Sequence, residues 1–232
     1  TTIVKSVDPG RMPFRDGMAA DETLTEIVPV MFDPNIMPKR MNQAAGVDLI
    51  KTSAVNFYEG VTQKEVENFY NKMKNPNDAT PVSYGLNSKV VKKDGVVAEQ
   101  VWKQGGMYDK AITRIIGWLE KAAGVAENEQ QKAVINTLID FYKTGDLKTF
   151  DDYSIKWVSD TSSHVDFVNG FIETYADPLG MKGSWESIVN FKNIEATKRT
   201  ETISANAQWF EDNSPIDPRF KKSEVKGVSA KV

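Results

Sequence analysis

The sequence predicts an α+β fold, helix-rich with a small antiparallel β-barrel or hairpin sheet. Three observations carry this. Val90-Val91 and Val96-Val97 flank Lys92-Lys93-Asp94-Gly95, and Asp-Gly between β-branched runs is a hairpin turn signal. Apolar residues then recur at helical spacing. Met107, Ala111, Ile112, Ile115, Ile116 and Leu119 form one stripe, and Val134, Ile135, Leu138, Ile139 and Tyr142 form another. A content of 40% hydrophobic and 26% charged residues suits a folded chain, not a disordered one.

The remaining elements follow in chain order. Residues 1–60 read as irregular, because Asp8-Pro9-Gly10, Asp33-Pro34-Asn35 and Met37-Pro38 are turn signals. Within them, Leu24 to Phe32 fits one short helix or strand. Thr62-Gln63-Lys64-Glu65 is a capping box, followed by Val66, Phe69, Tyr70 and Met73 at helical spacing and a stop before Asn75-Pro76. Pro81 to Trp102 reads as β-like. Gly145 closes the second stripe as a left-handed residue. Thr149 with Asp152 is expected to cap a third helix carrying Tyr153 and Trp157. A long helix is expected from Ser184 to Phe210, with Trp185, Ile188, Val189, Ile203 and Ala207 inward. Two prolines between Asp212 and Pro218 end it. The tail, Val225 to Val232, reads as the start of a strand. It is either an edge strand that ends a protein or a cut through a longer chain.

The counts exclude several chemistries. The 232 residues contain one histidine and no cysteine. Zinc sites draw mainly on His nitrogen and Cys sulfur, so no metal site is expected within this chain. A net charge of −3 argues against a nucleic-acid partner and against an electrostatic membrane anchor. Val28 to Phe32 is far too short an apolar run to span a bilayer. Phosphate loops, dinucleotide fingerprints, EF-hand loops and nucleophile elbows are absent from the sequence. His164, in Ser162-Ser163-His164-Val165-Asp166, reads first as a structural residue. A Ser-His-Asp triad built on it needs partners placed by tertiary structure.

Asp166 to Glu186 is the most informative stretch: DFVNGFIETYADPLGMKGSWE. Glu173 and Tyr175 are two apart, so in a strand they project from one face. A carboxylate beside a phenol can bind an ammonium and donate to a carbonyl, the two ends of a peptide N-terminus. The plainer alternative is a solvated Glu173 and a half-buried Tyr175.

Gly170 to Gly180 (GFIETYADPLG), followed by Trp185-Glu186 and Val189-Asn190, resembles the dipeptidyl-peptidase III family of zinc metallopeptidases. Pro29–Lys39, Asn56–Thr62, Pro81–Ser88 and Asn206–Phe210 are similar to its bacterial members. The resemblance implies a two-lobed exopeptidase that removes dipeptides from the N-terminus of short oligopeptides. On that mapping residues 1–232 are one piece of the lower, substrate-binding lobe, an irregular segment to residue 60 and then helices plus β elements. Glu173 resembles the carboxylate that pairs with the substrate amino group, and Glu186 a second acid beside it. Tyr175 resembles the catalytic phenol at the scissile carbonyl, and Asn56, Phe57 and Tyr58 line the N-terminal side of the cleft. The family's zinc sits on a His-Glu-x-x-Gly-His helix, which this sequence lacks. The resemblance thus implies zinc in the parent enzyme and none bound here. The implied partners are an oligopeptide and the remaining zinc-binding lobe. This piece alone is expected to be inactive. The resemblance implies the cytoplasm as the compartment, with export to the periplasm as the alternative for a bacterial member. A peptide-binding or scaffold domain without enzymatic activity is the alternative.

Overall fold

The computed structural model describes residues 19–225, apart from 34, 35, 37 and 38. The turns expected at 8–10, 34–35 and 37–38 and the strand expected at 226–232 lie outside these residues.

Leu24 to Phe32 resolves as a helix. It is part of α1 (Ala20–Phe32), whose first turn is held by Glu22 accepting from the Ala19 N–H at 3.0 Å. Pro29 stands inside α1 and forfeits one ladder bond there. β1 (Tyr58–Glu59) also falls in the stretch read as irregular. The capping box of α2 (Gln63–Asn71) is present in both directions. Val66 and Tyr70 face inward, and the helix stops ahead of Met73 and Pro76.

β2 (Ser88–Lys93) and β3 (Val96–Val101) form the expected hairpin. Its two turn residues, Asp94 and Gly95, both have positive φ, 51° and 81°, which matches the right-handed twist of the strands. β1 pairs parallel to β2 and completes a three-stranded sheet. The sheet is the hairpin alternative and not a closed barrel among the described residues. Val90, Tyr58, Val61, Val66, Tyr70 and Ile50 form a compact core between this sheet and α2.

The second and larger core is helical. α3 (Asp109–Gly124), α4 (Glu129–Thr144) and α5 (Leu147–Ser159) bring together Ile112, Ile116, Val134, Leu138, Phe141, Tyr142 and Tyr153. α4 ends at Gly145, whose φ of 71° and N–H bond to the Phe141 carbonyl make the expected left-handed stop. The expected cap of α5 is corrected by one turn. The helix starts at Leu147, and the capping carboxylate is Asp146, which accepts from the Thr149 N–H at 2.9 Å. Asp152 lies inside the helix.

The long helix expected from Ser184 to Phe210 does not form. Ser184–Phe191 is a strand, β5, paired antiparallel with β4 (Val165–Glu173). Trp185, Ile188 and Val189 fit a helical stripe as i, i+3, i+4, yet the segment also alternates and carries β-branched neighbours, and pairing decides it. Helix resumes only after Asn193, the cap of α6 (Ile194–Ala205), and breaks again at Asn206 before α7 (Ala207–Asp212). Trp185, Ile188, Val189 and Ile203 are exposed, not inward. No helix among the described residues is long and apolar enough to cross a membrane.

Asp146→Ala should cost ~1 kcal/mol of stability, the typical value of a lost helix cap. Asp152→Ala should stay within ~0.5 kcal/mol of the parent. Urea denaturation of the two variants checks this assignment.

Candidate functional site

The β4–β5 ribbon and the loop at its end, residues 174–183, carry most of the residues singled out above. The ribbon breaks register once. Phe171 pairs with Trp185 and Glu173 pairs with Ser184, so Ile172 is an extra residue on β4. Side chains alternate along a strand, and Ser184 shares a face with Glu186. Pairing Glu173 with Ser184 therefore turns Glu173 to the face of Glu186. In an unbroken register it would share a face with Phe171. Both carboxylates line one groove of about 720 Å³, walled by Phe150, Tyr153 and Trp157 of α5. Neither has a hydrogen-bond or ion-pair partner among the described residues.

The shared strand face expected for Glu173 and Tyr175 is not what joins them. β4 ends at Glu173, and Tyr175 stands in the following turn, 71% exposed instead of half-buried. The turn still brings them together. Both line a second pocket of about 410 Å³ with Met41, Gln43 and Asp177. Glu173 borders both hollows, so Glu186, Glu173 and Tyr175 follow one another along one surface.

Asn56, Phe57 and Tyr58 are not on that surface. Asn56 is exposed ahead of β1. Phe57 lines a separate hollow with Trp102, Phe171 and Trp185. Tyr58 is buried, and its hydroxyl donates to both oxygens of Asp177, at 2.9 and 2.8 Å. It meets the site from beneath.

That contact belongs to a buried network which sequence reasoning missed. The Asp177 carboxylate also accepts from the backbone N–H groups of Leu179, Met181 and Lys182, at 3.3, 2.8 and 2.9 Å. Lys182 is fully buried. Its ammonium donates to the Gly85 carbonyl and the Ser88 Oγ, both at 3.0 Å, and to the Tyr70 hydroxyl. Tyr70 and Ser88 pass the interaction on, each donating to Glu99. Gly85 has φ +86°, and a Cβ there would come 2.6 Å from the Tyr70 hydroxyl and 2.8 Å from the Lys182 nitrogen. Only glycine fits that corner.

Burial sets the electrostatics. It pushes the Lys182 ammonium down to about 8, against the pull of the Glu99 and Asp177 carboxylates. It pushes the Tyr58 and Tyr70 phenols up, helped by Asp177 and Glu99 respectively. The Asp-Pro-Leu-Gly turn was a sequence signal for Asp177. Lys182 gave none, since its partners are far away in the chain.

No group of three or more His, Cys, Asp or Glu that could hold a metal occurs among the described residues. The donor set does not fit a zinc site. His164 precedes β4, its backbone N–H donating to Glu127 at 2.8 Å. The neighbouring Ser163 spends its hydroxyl on Asp160 and not on His164.

Against known proteins, the model of peptidase family M49 matches residues 34–227. The chain belongs to peptidase family M49. Dipeptidyl peptidase 3 of Dictyostelium discoideum is 32% identical over 119 residues, 51% of this chain and 17% of that protein. The human dipeptidyl peptidase 3 is 29% identical over 119 residues, 51% of this chain and 16% of that protein. The structure of DPP III from Caldithrix abyssi covers 73% of this chain and 31% of its own, with a TM-score of 0.58 and 21% identity. It shares the fold. The M49 chain thus matches only a minor part of the length of these relatives.

The buried lysine makes stability depend on pH. Unfolded, Lys182 keeps its proton up to its ordinary value of 10.5, while folded it releases the proton above about 8. Between these values the unfolded state holds more protons, so stability rises with pH, by at most ~3 kcal/mol. Above about pH 10 the raised phenols of Tyr58 and Tyr70 oppose it, because the unfolded chain then loses protons first. Urea midpoints should therefore rise from pH 7 to 9 in the parent chain and rise less in Lys182→Met.

Proposed function

We propose that this M49 chain is the substrate-binding part of a zinc-dependent exopeptidase that releases dipeptides from the N-terminus of short oligopeptides. The observation that carries this reading is the pair of unpartnered carboxylates, Glu173 and Glu186, turned to one face of the ribbon beside an exposed phenol. A peptide N-terminus is an ammonium followed by a carbonyl. Two carboxylates at the end of a groove attract the ammonium and form charge-assisted hydrogen bonds with it. A chain continuing past the N-terminus has no such charge, so the carboxylates favour exopeptidase over endopeptidase cleavage.

Tyr175 has the complementary role. Its phenol is a donor with no partner among the described residues. Placed at the scissile carbonyl, it stabilises the oxygen as negative charge builds there. Asn56 and Phe57 lie off the surface of Glu173, Glu186 and Tyr175 and are given no contact with the peptide N-terminus. Tyr58 contributes through Asp177, not by touching the peptide. The likeness to dipeptidyl peptidase 3 proteins supports the substrate class. No group that could hold a metal occurs among the described residues, and in this reading the zinc belongs to the other lobe of the same protein.

Glu173→Ala in the complete peptidase should lower kcat/KM for peptides with a free N-terminus by about 10-fold to 100-fold, the range of a lost hydrogen bond to a charged group. Metal content should not change. Steady-state kinetics with metal analysis checks both, and an unchanged kcat/KM sinks the role given to Glu173.

A further inference from the structure

We infer that Asp177 and Lys182 are positioning residues for Tyr175, forming a buried two-point clamp that fixes the loop on which its phenol stands. The inference rests on the role given to Tyr175 above and extends it to groups that never touch substrate.

Tyr175 is a central residue of a turn closed by the Asp177 N–H on the Thr174 carbonyl, at 3.0 Å. The Asp177 carbonyl then closes the next turn by accepting from the Gly180 N–H at 2.9 Å. Asp177 thus ends one turn and begins another, and whatever fixes Asp177 fixes Tyr175. Ala176 and Pro178 on either side of it are buried, so the turn is seated at its base while its tip is exposed.

Two anchors hold this seat. At the first, Tyr58 of β1 bonds both carboxylate oxygens of Asp177, and that carboxylate gathers the N–H groups of Leu179, Met181 and Lys182. At the second, the Lys182 ammonium reaches the Gly85 carbonyl, the Ser88 Oγ and the Tyr70 hydroxyl. The anchors attach the loop to different elements, β1 on one side and α2 with the start of β2 on the other.

Packing alone does not call for such groups. Burying a carboxylate and an ammonium is costly, and apolar residues of similar size often give equal or greater stability. What charged hydrogen-bonding groups add is direction. Each bond here fixes an atom of the loop or its base to a named atom of the scaffold. A preordered loop spares the substrate the entropy of ordering it, and small displacements of a catalytic group cost rate steeply.

The test uses Tyr58→Phe, which removes one hydroxyl and keeps the ring in the core, and Lys182→Met, which keeps the side-chain length without the charge. In the chain itself, amide exchange at Leu179, Met181 and Lys182 should accelerate at least tenfold in Tyr58→Phe. The amides of α4 should keep their rates. Equal exchange in parent and variant overturns the clamp.

In the complete peptidase each variant should lower kcat about tenfold. Combined with Tyr175→Phe, each should cost little more than Tyr175→Phe alone, because its effect runs through that phenol. A merely structural role predicts the same loss in both backgrounds, and that result overturns the inference. If Tyr175→Phe is itself without effect, the role proposed for Tyr175 fails and the positioning inference fails with it. The exchange measurement then still decides whether the clamp orders the loop.

Discussion

The bond from the Tyr58 hydroxyl to the Asp177 carboxylate is the contact on which the arrangement of this chain depends. It spans 119 residues of sequence and is buried at both ends. Phe171, at the foot of the loop, belongs to the helical core with Trp102 and Tyr142. Leu179 and Met181, further along the loop, pack against the core of the three-stranded sheet. The loop is therefore the seam between two cores, and Asp177 is its fastening. Removing a partner from such a contact leaves a buried carboxylate underbonded, which costs more than the bond itself contributes.

The bulge at Ile172 acts on a smaller scale with an equal consequence. One extra residue reverses the face of everything after it. Here it moves a single carboxylate, Glu173, from the side of Phe171 to the side of Glu186. The residues of the motif are thus not equivalent in role. Ile172 sets a direction, Glu173 and Tyr175 face outward, and Asp177 faces inward to hold the turn that carries Tyr175. A reading that treats all the motif's polar groups as contacts for a ligand misses that division.

How much of this was legible in the sequence follows from the range of the forces involved. The hairpin at Asp94-Gly95, the capping box at Thr62 and the stop at Gly145 are local, and each formed as its residues require. α5 forms where its residues predict, but its cap is Asp146 and not Thr149, since both offer a side-chain oxygen near the first turn. β5 reads as helix in the sequence because its apolar residues satisfy two periodicities, and only the pairing with β4 chooses between them. The motif singles out the carboxylates and the phenol as candidates, but the geometry joining them is not legible in it, because a bulge and a turn replace the straight strand. Lys182 was illegible. Its partners Tyr70, Gly85 and Ser88 lie 112, 97 and 94 residues away, and no local pattern marks a lysine destined for burial.

The ribbon itself explains why the helices are arranged as they are. A two-stranded ribbon is marginal alone in water, and β4–β5 has no third strand among the described residues. Side chains from the helices supply what the missing strands would. Tyr142 of α4 donates to Asn169 on β4 and accepts from the Trp185 indole on β5, so one phenol bridges both strands. Gln131 of α4 donates to the Val165 carbonyl at 2.9 Å, and Trp157 of α5 donates to Asp166 at 3.0 Å. These donors come from two sides, and the ribbon is held between them. α4 can act in this way because Leu138, Phe141 and Tyr142 root it in the larger core. The chain of support runs from that core through α4 to the ribbon, and from the sheet through Tyr58 and Lys182 to the loop. Glu173 stands where the two lines of support meet, at the end of the ribbon and the start of the loop. A carboxylate whose position is fixed from both directions can select a ligand's charge without first being ordered by it.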